Sequence, residues 1–247
     1  MSCDWIVPDW PAPVNVKALI TTRQGGVSLA PYAGLNLGDH VGDLPAHVAA
    51  NRRLLRSHAP VTPRWLKQVH GIQVVNADKV ADGIEADAAY TRATDIACTV
   101  LTADCLPLLI CDRAGTQVAA AHAGWRGLHQ GVIERTIAVM GGAPSALLVY
   151  LGPAIGPKHY EVGDDVRDAF VALDGEAQAA FKAKENGKWL ANLYELARLR
   201  LLKLGIRDVF GGDYCTAEDP ARFYSYRRDG QTGRMASLIW LGVARQR

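Results

Sequence analysis

The chain has 247 residues, of which 49% are hydrophobic and 21% charged, a globular composition that excludes a disordered or coiled-coil protein. Its 27 Lys and Arg against 25 Asp and Glu leave a formal net charge of +2, which excludes a general electrostatic grip on nucleic acid or an anionic membrane and leaves room only for a local basic pocket. Five cysteines, an odd number, do not make a disulfide-framed secreted domain.

Met1-Ser2-Cys3-Asp4-Trp5 has no basic stretch followed by an apolar one, so no signal peptide is expected. Residues 16–22 are rich in β-branched side chains and predict a strand, ended by Gly25-Gly26. Residues 43–58 read as a helix, with Asp43 as its cap, Pro45 in its first turn and Val48, Asn51, Leu54 and Leu55 near one face. A short strand follows at 72–76. The apolar runs 96–101, 106–111 and 117–121 have strand length, and Asp112-Arg113-Ala114-Gly115 predicts a hairpin between the last two. A helix is expected after Gly127, with Val132, Ile133, Thr136, Ile137 and Met140 as its apolar stripe and Gly141-Gly142 as its stop. Residues 146–151 predict a buried strand. Two more helices are expected near 163–173, on Val166, Phe170 and Leu173, and near 191–204, ended by Gly205. A strand at 236–243 closes the chain.

The uncharged run 136–157 is long enough to cross a bilayer, but Gly141, Gly142, Pro144, Gly152, Pro153 and Gly156 break it into a helix end, a turn and a strand. A cytoplasmic protein with free thiols is therefore expected. Strands outnumber helices in mixed order, which predicts one α+β domain over residues 1–247, its sheets covered by helices.

Three residues stand out for chemistry: His70 in Gln68-Val69-His70-Gly71, Cys105 in Thr102-Ala103-Asp104-Cys105-Leu106-Pro107, and His122 in Ala121-His122-Ala123-Gly124. Imidazole and thiolate are donors that zinc prefers, and three protein ligands with an open fourth position define a catalytic metal site. Their spacing matches no local zinc finger, so only the fold can assemble them. The same residues fit two other readings: an inert buried cysteine with ordinary histidines, or a Cys105–His122 nucleophilic dyad. A metal site predicts inhibition by chelators, whereas a dyad predicts a covalent adduct on Cys105. Asp87 and Asp104 are candidate carboxylates for orienting a ligand or moving a proton, and Asp104 joins Cys105 and His122 in the expected catalytic set.

Gly124-Trp125-Arg126-Gly127 precedes a helix and combines N–H groups with a guanidinium, a combination suited to an anion. Arg23, beside Gly25-Gly26, and Arg227, in Ser225-Tyr226-Arg227-Arg228-Asp229-Gly230, offer planar forks for phosphate or else sit in solvated turns. Cys98, Cys111 and Cys215 read as structural, and Cys3 as a bystander.

The segments Thr22-Arg23-Gln24-Gly25-Gly26-Val27-Ser28, Leu35-Asn36-Leu37-Gly38, Asn51-Arg52-Arg53, Gln68-Val69-His70-Gly71, Ala86-Asp87-Ala88, Thr102-Ala103-Asp104-Cys105-Leu106-Pro107, His122-Ala123-Gly124-Trp125-Arg126-Gly127, Leu151-Gly152-Pro153-Ala154-Ile155-Gly156, Tyr160-Glu161-Val162-Gly163 and Ser225-Tyr226-Arg227-Arg228 occur in this order. With them the chain resembles the YfiH-like, laccase-domain family, also called the polyphenol oxidase or purine nucleoside phosphorylase family, over about residues 16–241. Each motif is short, but the ordered set is specific. Residues 174–189 match little in it.

The resemblance implies a single-domain layered α-β-β-α sandwich with mixed sheets and a surface pocket. It implies a transition metal, zinc with copper as the alternative, on His70, Cys105 and His122. The implied activity is phosphorolysis of adenosine, inosine, guanosine and methylthioadenosine to base and ribose 1-phosphate, together with deamination of adenosine. Partners are then a purine nucleoside and phosphate, with no nucleic acid and no membrane, in a monomer or weak homodimer. Phosphorolysis needs an anion site that sets phosphate against C1′, where positive charge develops. Arg23, Asn36, Arg126 and Arg227 form the expected substrate- and phosphate-binding set, with Arg52 and Trp125 as further nucleoside contacts. Deamination needs an activated water near C6 and a group that moves protons.

Two rival enzymes fit the same residues. A multicopper laccase needs His-x-His pairs, and seven histidines without one exclude it. A single copper on the same three ligands leaves a copper-dependent polyphenol oxidase as an alternative. The second rival is a Cys–His hydrolase or editing factor acting on peptidoglycan precursors. A protein-binding module would need an exposed apolar stripe, and none is visible.

Overall fold

The computed structural model describes residues 4–242. Cys3, and Val243 at the end of the strand expected over 236–243, lie outside the described residues. The first half runs β1 (Val16–Ile20), α1 (Pro45–His58), β2 (Thr62–Arg64), β3 (Leu66–Lys67), β4 (Val74–Asn76), β5 (Ile84–Glu85), β6 (Ala88–Thr91), β7 (Ile96–Thr102), β8 (Leu106–Asp112) and β9 (Val118–Ala123). The second runs α2 (Trp125–Gln130), α3 (Val132–Met140), β10 (Leu147–Leu151), β11 (Glu161–Val162), α4 (Asp164–Leu173), β12 (Phe181–Lys184), β13 (Lys188–Ala191), α5 (Leu193–Lys203), β14 (Val209–Gly211), α6 (Tyr226–Asp229) and β15 (Met235–Leu241).

Two mixed sheets stack face to face, one ordered β1-β15-β7-β2 and the other β14-β10-β8-β9-β6-β4. The pleat sorts their side chains into layers. On β8, Leu106, Leu108 and Ile110 pack with Ile133 of α3 and Leu201 of α5. Leu109 and Cys111 of the same strand pack instead with Val100 and Ile239 of the other sheet. On β15, Ala236 and Leu238 point the opposite way, to Leu55 of α1. The layers are therefore α1, the four-stranded sheet, the six-stranded sheet, and α3 with α5. This is the α-β-β-α sandwich that the resemblance implied. Both faces of β8 and β9 are covered, so these strands read as continuous apolar runs rather than alternating ones. They pair antiparallel as the expected hairpin, with Pro107 opposite His122. No helix among the described residues is long and apolar enough to cross a membrane.

Several local expectations shift. The N-cap of α1 is Leu44, without a side-chain cap, because the Asp43 carboxylate is already occupied. It accepts from the Ser28 hydroxyl (2.6 Å), the Asn36 amide (2.9 Å) and the Leu44 N–H (2.8 Å). The helix expected after Gly127 starts earlier, at Trp125, and is interrupted at Gly131, whose φ of 100° ends α2 before α3 begins. All five residues of the predicted α3 stripe are buried. In α4 only Val166 and Phe170 are buried, and Leu173, at its last turn, is exposed. Residues 174–189, silent in sequence, supply part of a three-stranded sheet, β11-β13-β12, whose Phe181 packs 6.1 Å from Phe170.

Candidate metal centre and cavity

The site forms at one end of the larger sheet. Cys105 immediately precedes β8, His122 lies near the end of β9, and His70 sits in the turn between β3 and β4. His70 and Asp104 both have positive φ, at 61° and 94°, which non-glycine residues adopt at a cost. Hydrogen bonds hold both turns. The Asp87 carboxylate accepts from the N–H groups of Val69 (3.2 Å), His70 (2.9 Å) and Gly71 (2.7 Å). The Asp104 carboxylate accepts from the Thr216 hydroxyl (2.5 Å) and the Arg227 N–H (2.7 Å).

The donor atoms of His70, Cys105 and His122 all lie within 4.8 Å of one another. Cys105 Sγ is 3.7 Å from His70 Nε2. His122 Nδ1 is 2.8 Å from Asp87 Oδ1, with both side chains buried. Donation of Nδ1–H to this carboxylate leaves Nε2 as the nitrogen that would hold a metal, releasing its proton on binding. Glycine is required beside the cluster: a Cβ on Gly124 would come within 2.9 Å of both Cys105 Sγ and His70 Cδ2. Burial alone pushes the Cys105 thiol up, but the neighbouring His122 and His70 outweigh it and hold the thiol down to about 6. Burial lowers His122, and the adjoining Cys105 and Asp87 more than restore it, leaving it above the ordinary imidazole value. Burial likewise raises Asp87, while its bonds from His122, Gly71 and Val69 bring it below the usual carboxylate range. Two imidazoles and an acidified thiol, one imidazole oriented by a buried carboxylate, are a donor set that fits a zinc-class ion.

A cavity of about 430 Å³ opens over the cluster. Trp125, Tyr160 and Tyr226 give it aromatic walls, and Arg126, Arg227, Arg234 and His40 line it with cationic or polar groups. Arg126 lies over the Trp125 ring (4.6 Å) and Arg227 over that of Tyr160 (5.3 Å). His70, Asp104, Cys105, His122, Arg126, Arg227 and Trp125 thus share one cavity. Helix α2 has only six residues, so its dipole adds little and any anion binding here falls to the guanidiniums.

Arg23 and Asn36 do not line this cavity. Arg23 donates to the Pro220 carbonyl (3.1 Å) and lies over Tyr224 (4.8 Å). Asn36 is fully buried, its Oδ1 accepting from Gly38 N–H (3.0 Å) and Arg234 N–H (3.0 Å), so it shapes the loop that presents Arg234. Arg52 also lies outside the cavity lining, stacked on Trp65 (4.1 Å) and donating to the Leu37 carbonyl (2.9 Å). Asp104 lines the cavity, one carboxylate oxygen engaged by the Thr216 hydroxyl and the other by the Arg227 N–H. Burial raises the thiols of Cys98 and Cys111, in keeping with their structural reading. Sequence reasoning missed His40, Tyr160, Tyr226 and Arg234. Tyr160 and Tyr226 stood inside quoted motifs, whereas His40 and Arg234 carry no local signal and arrive only through the fold.

An α-β-β-α sandwich with an open two-histidine, one-cysteine cluster at one end of its larger sheet defines the class of protein. A family model described as multi-copper polyphenol oxidoreductase laccase matches residues 17–242, and the chain belongs to that family. It is 56% identical over 238 residues to a purine nucleoside phosphorylase of Pseudomonas aeruginosa, covering 96% of this chain and 98% of that one. It is 52% identical over 239 residues to the purine nucleoside phosphorylase YfiH of Escherichia coli, with the same coverages. Among solved structures, a Neisseria meningitidis protein superposes with a TM-score of 0.95 at 52% identity, over 97% of this chain and 99% of that one. YlmD of Geobacillus stearothermophilus superposes at 0.91 with 31% identity, over 96% of each.

Proposed function

We propose that this protein is a metal-dependent purine nucleoside phosphorylase that also deaminates adenosine. The observation that carries this reading is one cavity in which the His70–Cys105–His122 cluster faces three arginines between aromatic walls. The names of the Pseudomonas and Escherichia relatives support the nucleoside as substrate. Arg126, Arg227 and Arg234 hold inorganic phosphate, and Trp125, Tyr160 and Tyr226 bracket the purine. In phosphorolysis a phosphate oxygen forms a bond to C1′ as the C1′–N9 bond breaks, and its electron pair leaves with the base, which takes up a proton. The guanidiniums offset the phosphate charge and orient it on the face opposite the base. In deamination a water oxygen adds at C6 and ammonia leaves. When bound at His70, Cys105 and His122, a zinc-class ion supplies Lewis-acid activation for that water. Asp87 keeps the His122 Nδ1–H fixed, and Asp104 keeps Arg227 in register with Cys105. On this reading the partners are small molecules only, in a cytoplasmic enzyme.

The test is zinc-loaded protein with inosine and phosphate. Hypoxanthine and ribose 1-phosphate are the expected products, lost in His122→Ala; no turnover of any purine nucleoside sinks the reading. The description of the family model motivates a second reading, single-copper phenol oxidation. It requires phenol turnover with copper and none with zinc.

A further inference from the structure

A second cluster of donor atoms lies outside the cavity described above. His159, Cys215 and Glu218 bring an imidazole nitrogen, a thiol sulfur and a carboxylate oxygen within 4.8 Å of one another. His159 Nε2 is 3.1 Å from Glu218 Oε1. Ligand bonds of about 2.0–2.3 Å at tetrahedral angles separate donors by about 3.3–3.7 Å, so an ion would draw the three donors together from within their 4.8 Å bound by small side-chain rotations. The backbone supports the arrangement from both sides. The Asp219 N–H donates to the Cys215 carbonyl (3.3 Å), closing the turn that carries both Cys215 and Glu218. On the other side, a Cβ on Gly156 would meet Cys215 Cβ and Sγ at 3.0 Å, so glycine there admits the sulfur, and the Gly156 N–H donates to it (3.2 Å). The three residues also line a separate cavity of about 390 Å³, which gives an ion and a fourth ligand access from solvent.

The geometry points to a second metal site on His159, Cys215 and Glu218, taking a divalent ion of the zinc class. Thiolate with imidazole selects such an ion over calcium or magnesium, which take oxygen donors. The ion would displace Lys158, whose exposed ammonium is 3.7 Å from Glu218. It would tie the turn starting at Gly156 to the Cys215 turn. That first turn is closed by the N–H groups of His159 (3.0 Å) and Tyr160 (3.1 Å) on the Gly156 carbonyl, and Tyr160 is a wall of the main cavity. The second ion therefore acts as a brace behind the substrate cavity. This inference uses none of the residues of the first cluster and stands whether or not the proposed activity does.

The test is zinc stoichiometry of the whole chain after equilibrium dialysis of the apo protein. Two equivalents are expected for wild type, and one for Cys215→Ser. His159→Gln and Glu218→Gln are expected to weaken one of the two equivalents by at least about tenfold. Since a serine at 215 can perturb folding, alkylation of the unmodified protein is the second measurement: zinc should protect the Cys215 peptide from iodoacetamide, and Glu218→Gln should remove that protection. One equivalent in wild type, undiminished in Cys215→Ser, or a Cys215 peptide that alkylates equally with and without zinc, overturns the site.

Discussion

Cys105 and Cys111 sit at opposite ends of the same strand region, six positions apart, yet their thiols behave in opposite ways. Between the sheets, Cys111 has apolar neighbours from both layers, and burial together with the adjacent Asp112 pushes its thiol up to about 12. At the sheet end, Cys105 is also shielded, but His122 and His70 overcome burial and bring it down to about 6. What differs is the supply of fixed, hydrogen-bonded partners where the strands run out. A layered core makes a cysteine inert; the rim of the same core makes one reactive.

The strongest way to break this contrast is to remove the group that orients the histidine. Asp87→Ala leaves three N–H groups and a buried imidazole without their acceptor, and it should cost about 3–5 kcal/mol in urea unfolding. Asp87→Asn should recover part of that loss. Leu109→Ala, in the inter-sheet layer, should cost about 2–5 kcal/mol by the same measurement yet leave zinc content unchanged. Cys105→Ser should do the reverse, lowering nucleoside turnover on the order of 100-fold with a small change in unfolding. Gly124→Ala places a methyl against Cys105 and His70, and zinc affinity measured by competition with a chelator should fall about tenfold. The smallest effect is also the most direct. In apo protein the thiolate of Cys105 forms as pH rises, so its iodoacetamide rate should climb through about pH 6 and level off, while that of Cys111 stays low below about pH 12. Equal rates for the two at pH 7.5 would remove the contrast.

The long strands were legible because they are covered on both faces and so spell uninterrupted apolar runs, as in Leu106–Asp112. Of the short strands, Val74–Asn76 was legible, but two others were not. Thr62–Arg64 contains Pro63, and Ile84–Glu85 is two exposed residues; both are strands only because a partner lies alongside. In the site, His70, Cys105 and His122 could be picked out by donor chemistry and by the company of small residues, but their meeting is a property of strand order. Arg23 and Asn36 show the converse case: they lie outside the lining of the cavity. Their motifs are distinctive because they bind other parts of the protein: Asn36 receives the Arg234 N–H and donates to Asp43, and Arg23 closes on Pro220. A motif marks a demanding local geometry, and that demand can be internal.

Asp104 poses a conflict between what its own backbone prefers and what its neighbours need. At φ 94° glycine would be the more comfortable residue. Yet glycine has no acceptor, whereas the two carboxylate oxygens receive the Thr216 hydroxyl and the Arg227 N–H separately, and the next residue along the chain is Cys105. The position therefore works as a gauge block: it sets the separation between the thiol and the start of the helix that carries Arg227. Asp104→Gly would leave a more relaxed chain whose sulfur and guanidinium had lost their common reference.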